Sequence, residues 1–465
     1  MEQGAIPPGW SSLLRREWLP TLAVLLGGVL LQSMNVLMLA TVLPSIVGEL
    51  GGVTMLSWPT TAYLASSIVA ASCAGMLASA AGARTVYCIG VTTFGLAALI
   101  CSQAPAMGWI VAGRLLQGFG GGLEAAVAYV LIRRTFPEQV WPRTIAMMST
   151  SWSVSVLLGP LVGGLFAHFG SWRHAFLASA AAAGALAIAA FLTLPAVEAA
   201  SRGPAPRVPF GRVALICLAI AATSFASVVA SALLKLGLIG AAIACLALML
   251  RLNRSAKAPL LPRDAFSWWT QTGVGSWLAL MLCISFAPLQ VYVPIFLQEL
   301  HGLDPLAAGF AVASASLAWS TASIATAGIA TPWPERLMLT GPLIMGLGLI
   351  AIAALTPHAT LWLLIPSIAL LGAGIGQCWP FVAHRIMQGA RIGNEIVAAS
   401  SVPTIQQTGF ALGAAVAGLI GNACGLSGAT ADDGMLRAAS FVPASFVVPA
   451  LLAALAGLRL RRLRC

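Results

Sequence analysis

Charge is what this chain of 465 residues has least of: Asp, Glu, Lys and Arg together make up 8%, with 13 acids against 24 bases. A water-soluble fold of that length would need many more charged side chains on its surface, so a soluble enzyme is excluded. Histidine is scarce too, at five, and the nine cysteines show no close Cys or His spacing of the kind that holds a metal. Most cysteines lie inside apolar runs and read as small apolar residues. No metal and no cofactor is expected. A phosphate-cradling loop is also missing, because the glycine-rich run at 118–122 is followed by Leu123-Glu124 rather than Lys-Ser or Lys-Thr, and ATP is not expected. The bases are scattered singly instead of gathered into a patch, which argues against nucleic acid as a partner.

What is present is apolar: 59% of residues, with a mean hydropathy of +0.93. Breaks at polar, Pro-rich and charged positions predict an all-α polytopic membrane protein with fourteen spans, near 19–47, 57–80, 84–104, 107–132, 144–168, 172–195, 211–231, 235–251, 269–297, 305–329, 337–356, 360–384, 395–423 and 437–458. The first stretch is too long for a signal-peptide core and reads as a span. Basic residues test the count, since Lys and Arg accumulate in cytoplasmic loops. With both termini cytoplasmic, 20 of the 24 bases fall on that side, Arg173, Lys235 and Arg437 on the other, and Arg114 within a span. Ten tryptophans fall at span ends, where an amphipathic ring prefers the headgroup layer. Trp152, Trp277, Trp319 and Trp379 fall within spans, either filling helix contacts or lining a cavity.

Two features divide the chain. Pro44 followed by Glu49-Leu50 is echoed by Pro294 followed by Glu299-Leu300, which fits two six-span halves related as a parallel repeat. Residues 196–212, rich in Pro, Gly and Arg, form the best linker, and two more spans follow it. The expected organisation is a six-helix bundle over 1–195, a linker with an additional helix pair over 196–262, and a second six-helix bundle over 263–465.

Span 4 carries Gly113-Arg114-Leu-Leu-Gln117-Gly118-Phe-Gly120-Gly121-Gly122 and then Glu124, and span 5 carries Gly159-Pro160-Leu-Val-Gly163-Gly164. Glycines at helical spacing let a neighbouring backbone approach, and Pro160 frees a carbonyl and permits a bend. These runs resemble the fourth- and fifth-helix motifs of the major facilitator superfamily. With fourteen spans the chain is similar to its drug:proton antiporter branch, which carries an extra central helix pair. Leu43-Pro44, Trp58 to Leu64 and Gln406-Gln407-Thr-Gly409 add to the match. The resemblance implies alternating access, with the span-5 glycines at a hinge. It also implies a conformational latch in the loop after span 2, here Gly75-Met-Leu-Ala-Ser79-Ala-Ala-Gly82-Ala-Arg84, alongside Gly118 in span 4. Two departures stand out: Ser79 replaces the loop acid, and Asn35 replaces an acid expected in span 1, so the latch is weakened or replaced and proton coupling falls elsewhere.

Arg114 is costly inside a bilayer and must face protein, water or a carbonyl. Snorkelling to the outer interface and an interior partner both remain open. Gln117, Gly121, Glu124 and Ala128 recur at i+3 and i+4 and share one helix face. Glu124 is the one acid this segmentation sets deep within a span; removal from water favours its neutral form, so it can release and regain a proton as access alternates. A fixed ion pair or a protonated packing residue is the competing reading. Ten residues, about 15 Å of helix, separate it from Arg114, too far for a direct pair.

The expected function is secondary active transport: export of amphipathic organic compounds or drugs, cationic ones included, against inward protons across the inner membrane. Glu124 and Arg114 would carry the coupling. Gln32, Asn35, Gln117, Trp152, Trp277, Gln290, Trp319, Trp379, Gln406 and Gln407 would line the substrate cavity. The expected partners are a small amphipathic substrate, protons and membrane lipids, and the expected state is a monomer. The rival readings are an exporter or uniporter of a lipid, metabolite or natural product without coupling through Glu124, and a non-transporting membrane sensor or scaffold.

Overall fold

The computed structural model describes residues 9–51, 55, 58–168, 171–195, 209–229, 231–256, 259–329, 333–358, 361–390, 393–425 and 431–463. Most of the linker, 196–208, lies outside the described residues, as do Arg202, Arg207, Lys257, Arg391 and Arg464. The described residues contain helices and no strand, as a lipid environment demands of a chain that must satisfy its backbone within each span. The helices are α1 (Leu19–Leu50), α2 (Trp58–Ala81), α3 (Ala83–Ser102), α4 (Met107–Thr135), α5 (Trp141–His168), α6 (Trp172–Thr193), α7 (Phe210–Val228), α8 (Ala232–Arg254), α9 (Gln271–Val291), α10 (Val293–His301), α11 (Pro305–Thr326), α12 (Trp333–Leu355), α13 (Leu361–Gln388), α14 (Glu395–Ala423), α15 (Ala431–Ser445) and α16 (Val447–Arg462).

Twelve stretches among the described residues are long and apolar enough to cross a membrane. They match the predicted spans except the seventh and thirteenth. α7 holds a shorter apolar stretch, Phe210–Thr223. α14 has length to spare at 29 residues, but Gln406, Gln407 and Asn422 dilute its apolar run. Two predicted spans are each built of two helices. The ninth breaks at Tyr292, between Pro288 inside α9 and Pro294 in the first turn of α10, where a missing N–H leaves no bond unmade. The last breaks at Phe446, three residues after Pro443.

The chain forms two compact units, one of Met1–Pro209 with Arg391–Thr404, the other of Phe210–Ala390 with Ile405–Cys465. α1 to α6 and the first turns of α14 therefore belong to the first unit, and the remaining helices, including α7 and α8, to the second. Within each unit the pairing has the same logic. α4 packs on α2 and α3, and α3 on α6; in the second unit α13 packs on α11 and α12, and α12 on α16.

A Gly-x-Gly-x-Gly run, 118–122 in α4 and 372–376 in α13, sets both contacts. A β-carbon on Gly118 would lie 2.1 Å from the Tyr63 carbonyl oxygen, and one on Gly122 2.3 Å from that of Ser67, both on α2; one on Gly120 would lie 2.5 Å from the Gly90 carbonyl on α3. In α13, Gly372 and Gly376 meet the backbone of Ala315 and Trp319 on α11, and Gly374 that of Gly341 and Met345 on α12. The pairs Gly159/Gly163 on α5 and Gly409/Gly413 on α14 repeat the device against α1 and α9. This recurrence is a stronger trace of the repeat than the Pro and Glu-Leu echo. Pro160 and Gly164 fall within α5, but their side-chain positions lie outside the described residues.

Gly122→Ala, and separately Gly376→Ala, should lower the melting temperature of the detergent-purified protein sharply, because even one methyl overlaps a neighbouring backbone and overpacking of a core costs about 1–3 kcal/mol. Gly184→Ala, where nothing lies within 4 Å of the added carbon, should leave the melting temperature unchanged or raise it, since alanine is preferred in a helix by ~1 kcal/mol. Equal melting of all three would refute backbone contact as the glycines' purpose.

Candidate functional site

α4 is the most buried of the candidate spans, and its polar residues are buried with it. Arg114 does not snorkel: it is 1% exposed. Its Nη1 donates to Asn35 Oδ1 on α1 and to Gln117 Oε1 at 2.9 Å. Its Cζ lies 4.3 Å from the centroid of the Tyr63 ring on α2. The guanidinium is thus held by dipoles and a π face rather than by a carboxylate, an arrangement that spreads its charge without neutralising it. The Asn35 amide in turn donates to Ser179 Oγ on α6 at 3.5 Å. A β-carbon on Gly121, the next residue on the polar face of α4, would lie 3.0 Å from the Tyr63 hydroxyl and 3.3 Å from Gln32 Nε2. Gln32, Asn35, Tyr63, Arg114 and Gln117 therefore form one cluster among α1, α2 and α4.

Glu124 lies further along the same face and is 2% exposed. No ion pair joins it to Arg114 among the described residues. Its carboxyl closes over Gly28 of α1 beside Tyr87 of α3; a β-carbon on Gly28 would lie 2.1 Å from Glu124 Oε1 and 2.3 Å from the Tyr87 hydroxyl oxygen. Tyr87 donates its one hydroxyl proton to the Val24 carbonyl at 3.0 Å, and Glu124 Oε1 has no hydrogen-bond partner among the described residues. An ionised carboxylate has little to accept in this niche, while a neutral acid carries its own donor. The sequence reading passed over Tyr87 and Gly28. The available signal was a tyrosine, one of four in the chain, whose hydroxyl sits in an apolar span and needs a partner.

In the second unit an aromatic cluster joins four helices. Phe286 of α9 meets Trp319 of α11 edge-on at 5.3 Å and Phe410 of α14 at 6.1 Å, and Trp319 meets Trp379 of α13 at 6.0 Å. Among the buried polar atoms of this unit without a hydrogen-bond partner among the described residues are Trp319 Nε1, Gln377 Nε2 and Gln407 Oε1. Gln406 and Gln407 are half-buried. Trp277 packs at 5.2 Å on Phe266 and donates to its carbonyl at 2.9 Å, so it anchors the chain preceding α9. Trp152 and Gln290 are exposed.

Of the residues assigned to conformational change, Gly75 lies under α14, where an added β-carbon would be 2.1 Å from Ser400 Oγ. Gly82 caps α3 at a φ of +87°, a conformation that favours glycine. Arg84 stacks on Phe191 of α6 at 4.5 Å. Gly159 and Gly163 press on Leu37, Met38 and Thr41 of α1.

Glu124 stays the one acid placed deep within a span, but a second acid is buried at a helix end. Glu335, expected in a loop, occupies the first turn of α12 at 7% exposure and is paired at 3.0 Å with Arg385 of α13. Arg385, counted among the cytoplasmic loop bases, is buried in the last turn of α13. The span boundaries missed them because each pair member sits at a helix end, where composition alone cannot separate a solvated charge from a paired one. In the first unit, Glu49 near the end of α1 accepts from Trp172 Nε1 at 2.6 Å and from Arg173 at 2.5 Å, and Arg173 also donates to the Ala104 carbonyl at 2.9 Å.

Known proteins share the chain's sequence pattern and its fold. Residues 25–417 match the Major Facilitator Superfamily. A protein of Mycobacterium tuberculosis described as a "probable multidrug-efflux transporter" is 34% identical over 455 residues, covering 94% of this chain and 93% of the relative. The tetracenomycin C resistance and export protein of Streptomyces glaucescens is 26% identical, covering 88% and 77%. Among solved structures, the human organic anion transporter MFSD10 superposes with a TM-score of 0.72 at 13% identity, covering 94% of this chain and 99% of that one. The proton:xylose symporter XylE superposes with a TM-score of 0.67 at 14% identity, covering 94% of each.

The Asn35 carbonyl carries the buried Arg114. Asn35→Ala should lower the thermal stability of the purified protein by about 1.5–3 kcal/mol, the worth of a hydrogen bond to a charged group. Asn35→Asp should recover much of it by pairing with the guanidinium. Melting curves decide: equal stability of the alanine and asparagine forms would mean that Arg114 is held elsewhere.

Proposed function

We propose that this chain, which belongs to the major facilitator superfamily, exports amphipathic organic compounds from the cytoplasm in exchange for protons, through Glu124. The observation that carries the reading is the niche of that carboxyl. One oxygen is unpartnered, the adjacent tyrosine proton is committed to Val24, and Gly28 leaves the space that the acid fills. Such a group is at ease neutral and ill at ease ionised until water or a substrate reaches it. Proton binding is thereby linked to the state of the helices around it. Arg114, on the same helix and without a carboxylate partner, would set the field felt by the passing proton or solute. An inward proton supplies about 2.3 kcal/mol per 100 mV before any pH difference is added, enough to drive uphill export when proton and solute compete. The relatives named for drug efflux and for tetracenomycin C export support an organic solute. The aromatic cluster around Trp319, with its unpartnered donors, offers flat apolar surface and hydrogen bonds to such a molecule. The setting is the inner membrane, with both termini cytoplasmic and a single chain as the working unit.

A second reading, transport uncoupled from Glu124, is favoured by Asn35: the amide bound to Arg114 holds no titratable proton where a second acid would stand. Proteoliposomes separate the two. With ethidium as probe and an imposed pH gradient, the unmodified chain should accumulate it, and Glu124→Gln should lose gradient-driven accumulation at least tenfold while retaining ethidium exchange between equal compartments. Accumulation that survives Glu124→Gln sinks the coupling role and leaves the second reading standing.

A further inference from the structure

Arg84 is a cation released from the role its position suggests. Ser79 stands where the resemblance implies an acid, and the serine hydroxyl turns back to donate to the Gly75 carbonyl at 2.8 Å. Among the described residues no carboxylate pairs with Arg84. Its guanidinium carbon lies 4.5 Å from the centroid of the Phe191 ring instead. That stacked pair forms one end of a groove of about 370 Å³ between α3 and α6, whose wall on α3 is Cys88, Ile89, Thr92 and Thr93. The first turn of α3 adds to the positive end, because Gly82 offers no side chain to cap its free N–H groups.

The dimensions of the groove identify what fits. Arg84 to Thr93 is about 13 Å along a helix, close to half of a ~30 Å hydrocarbon core. α3 is itself a candidate span beginning at Ala83. One end of the groove therefore meets the headgroup layer and the other approaches the bilayer midplane. The flanking surface is open and apolar, with Ile89 50% and Phe191 61% exposed. A small water-soluble anion would satisfy Arg84 but leave the apolar length empty. A molecule with a negative head and a hydrocarbon chain satisfies both.

We infer that the groove between α3 and α6 is a binding site for an anionic glycerophospholipid of the leaflet at the Arg84 end, with its phosphate on Arg84 and an acyl chain along Ile89, Thr92 and Phe191. Basic pockets between membrane helices bind anionic headgroups by the same physics. The lipid takes the place of the missing acid as the counter-charge of the loop between α2 and α3. This site is independent of the transport reading.

Native mass spectrometry of the detergent-purified full chain, given equimolar phosphatidylglycerol and phosphatidylcholine, tests it. The unmodified chain should retain phosphatidylglycerol about fivefold over phosphatidylcholine, the ratio equivalent to ~1 kcal/mol for one charge near the surface. Arg84→Lys should keep that preference and Arg84→Gln should bring it to near one. Thr92→Trp, which fills the groove without altering charge, should reduce retention of both lipids and decides the matter if Arg84→Gln fails to fold. No preference in the unmodified chain, a preference untouched by Arg84→Gln, or full retention in Thr92→Trp overturns the site. Displacement of phosphatidylglycerol by millimolar inorganic phosphate would assign the cation to a free anion and overturn the lipid.

Discussion

The contact of one helix backbone with another, with no side chain between, is the constraint on which the rest depends. In lipid there is little hydrophobic gain from bringing two apolar helices together, so close packing and polar contacts must hold them. Gly118, Gly120 and Gly122 supply that packing on two sides of α4, against α2 and α3. An arginine and a glutamate buried on such a helix, 1% and 2% exposed, must be satisfied by the groups packed around them. Asn35 of α1 and the Tyr63 ring of α2 are what the neighbours present to Arg114, and Gln117, one turn along α4 itself, adds a third contact.

Buried charge is handled in two ways. Glu335 and Arg385 neutralise each other at 3.0 Å, a fixed pair whose loss of either member would leave an uncompensated charge. Arg114 and Glu124 share one helix and have no ionic partner among the described residues. An unpaired carboxyl in an apolar niche responds to the arrival of water, solute or proton. The contrast between these acids, more than burial alone, singles out Glu124.

The loop between α2 and α3 follows the same economy of charge. The serine at 79 closes on its own helix, and the arginine at 84 turns outward to an aromatic ring and an apolar groove. A cation that lacks a protein partner at a membrane interface has lipid phosphate as its nearest abundant counter-charge.

Much of this was legible in the amino-acid order. Span positions, the excess of bases in alternate loops and the shared face of Gln117, Gly121, Glu124 and Ala128 follow from per-residue transfer energies and a 3.6-residue period, which are local quantities. The Gly-x-Gly-x-Gly repeat was equally local and lay in plain view at 118–122 and 372–376. The neighbours of each buried group were not legible: that Tyr87 and Gly28 enclose Glu124, that Asn35 rather than an acid holds Arg114, and that Glu335 meets Arg385 fifty residues away. Composition determined that these side chains would be costly to bury; tertiary packing alone decided what they meet, because contacts between helices distant in sequence arise from three-dimensional fit and leave no period in the chain.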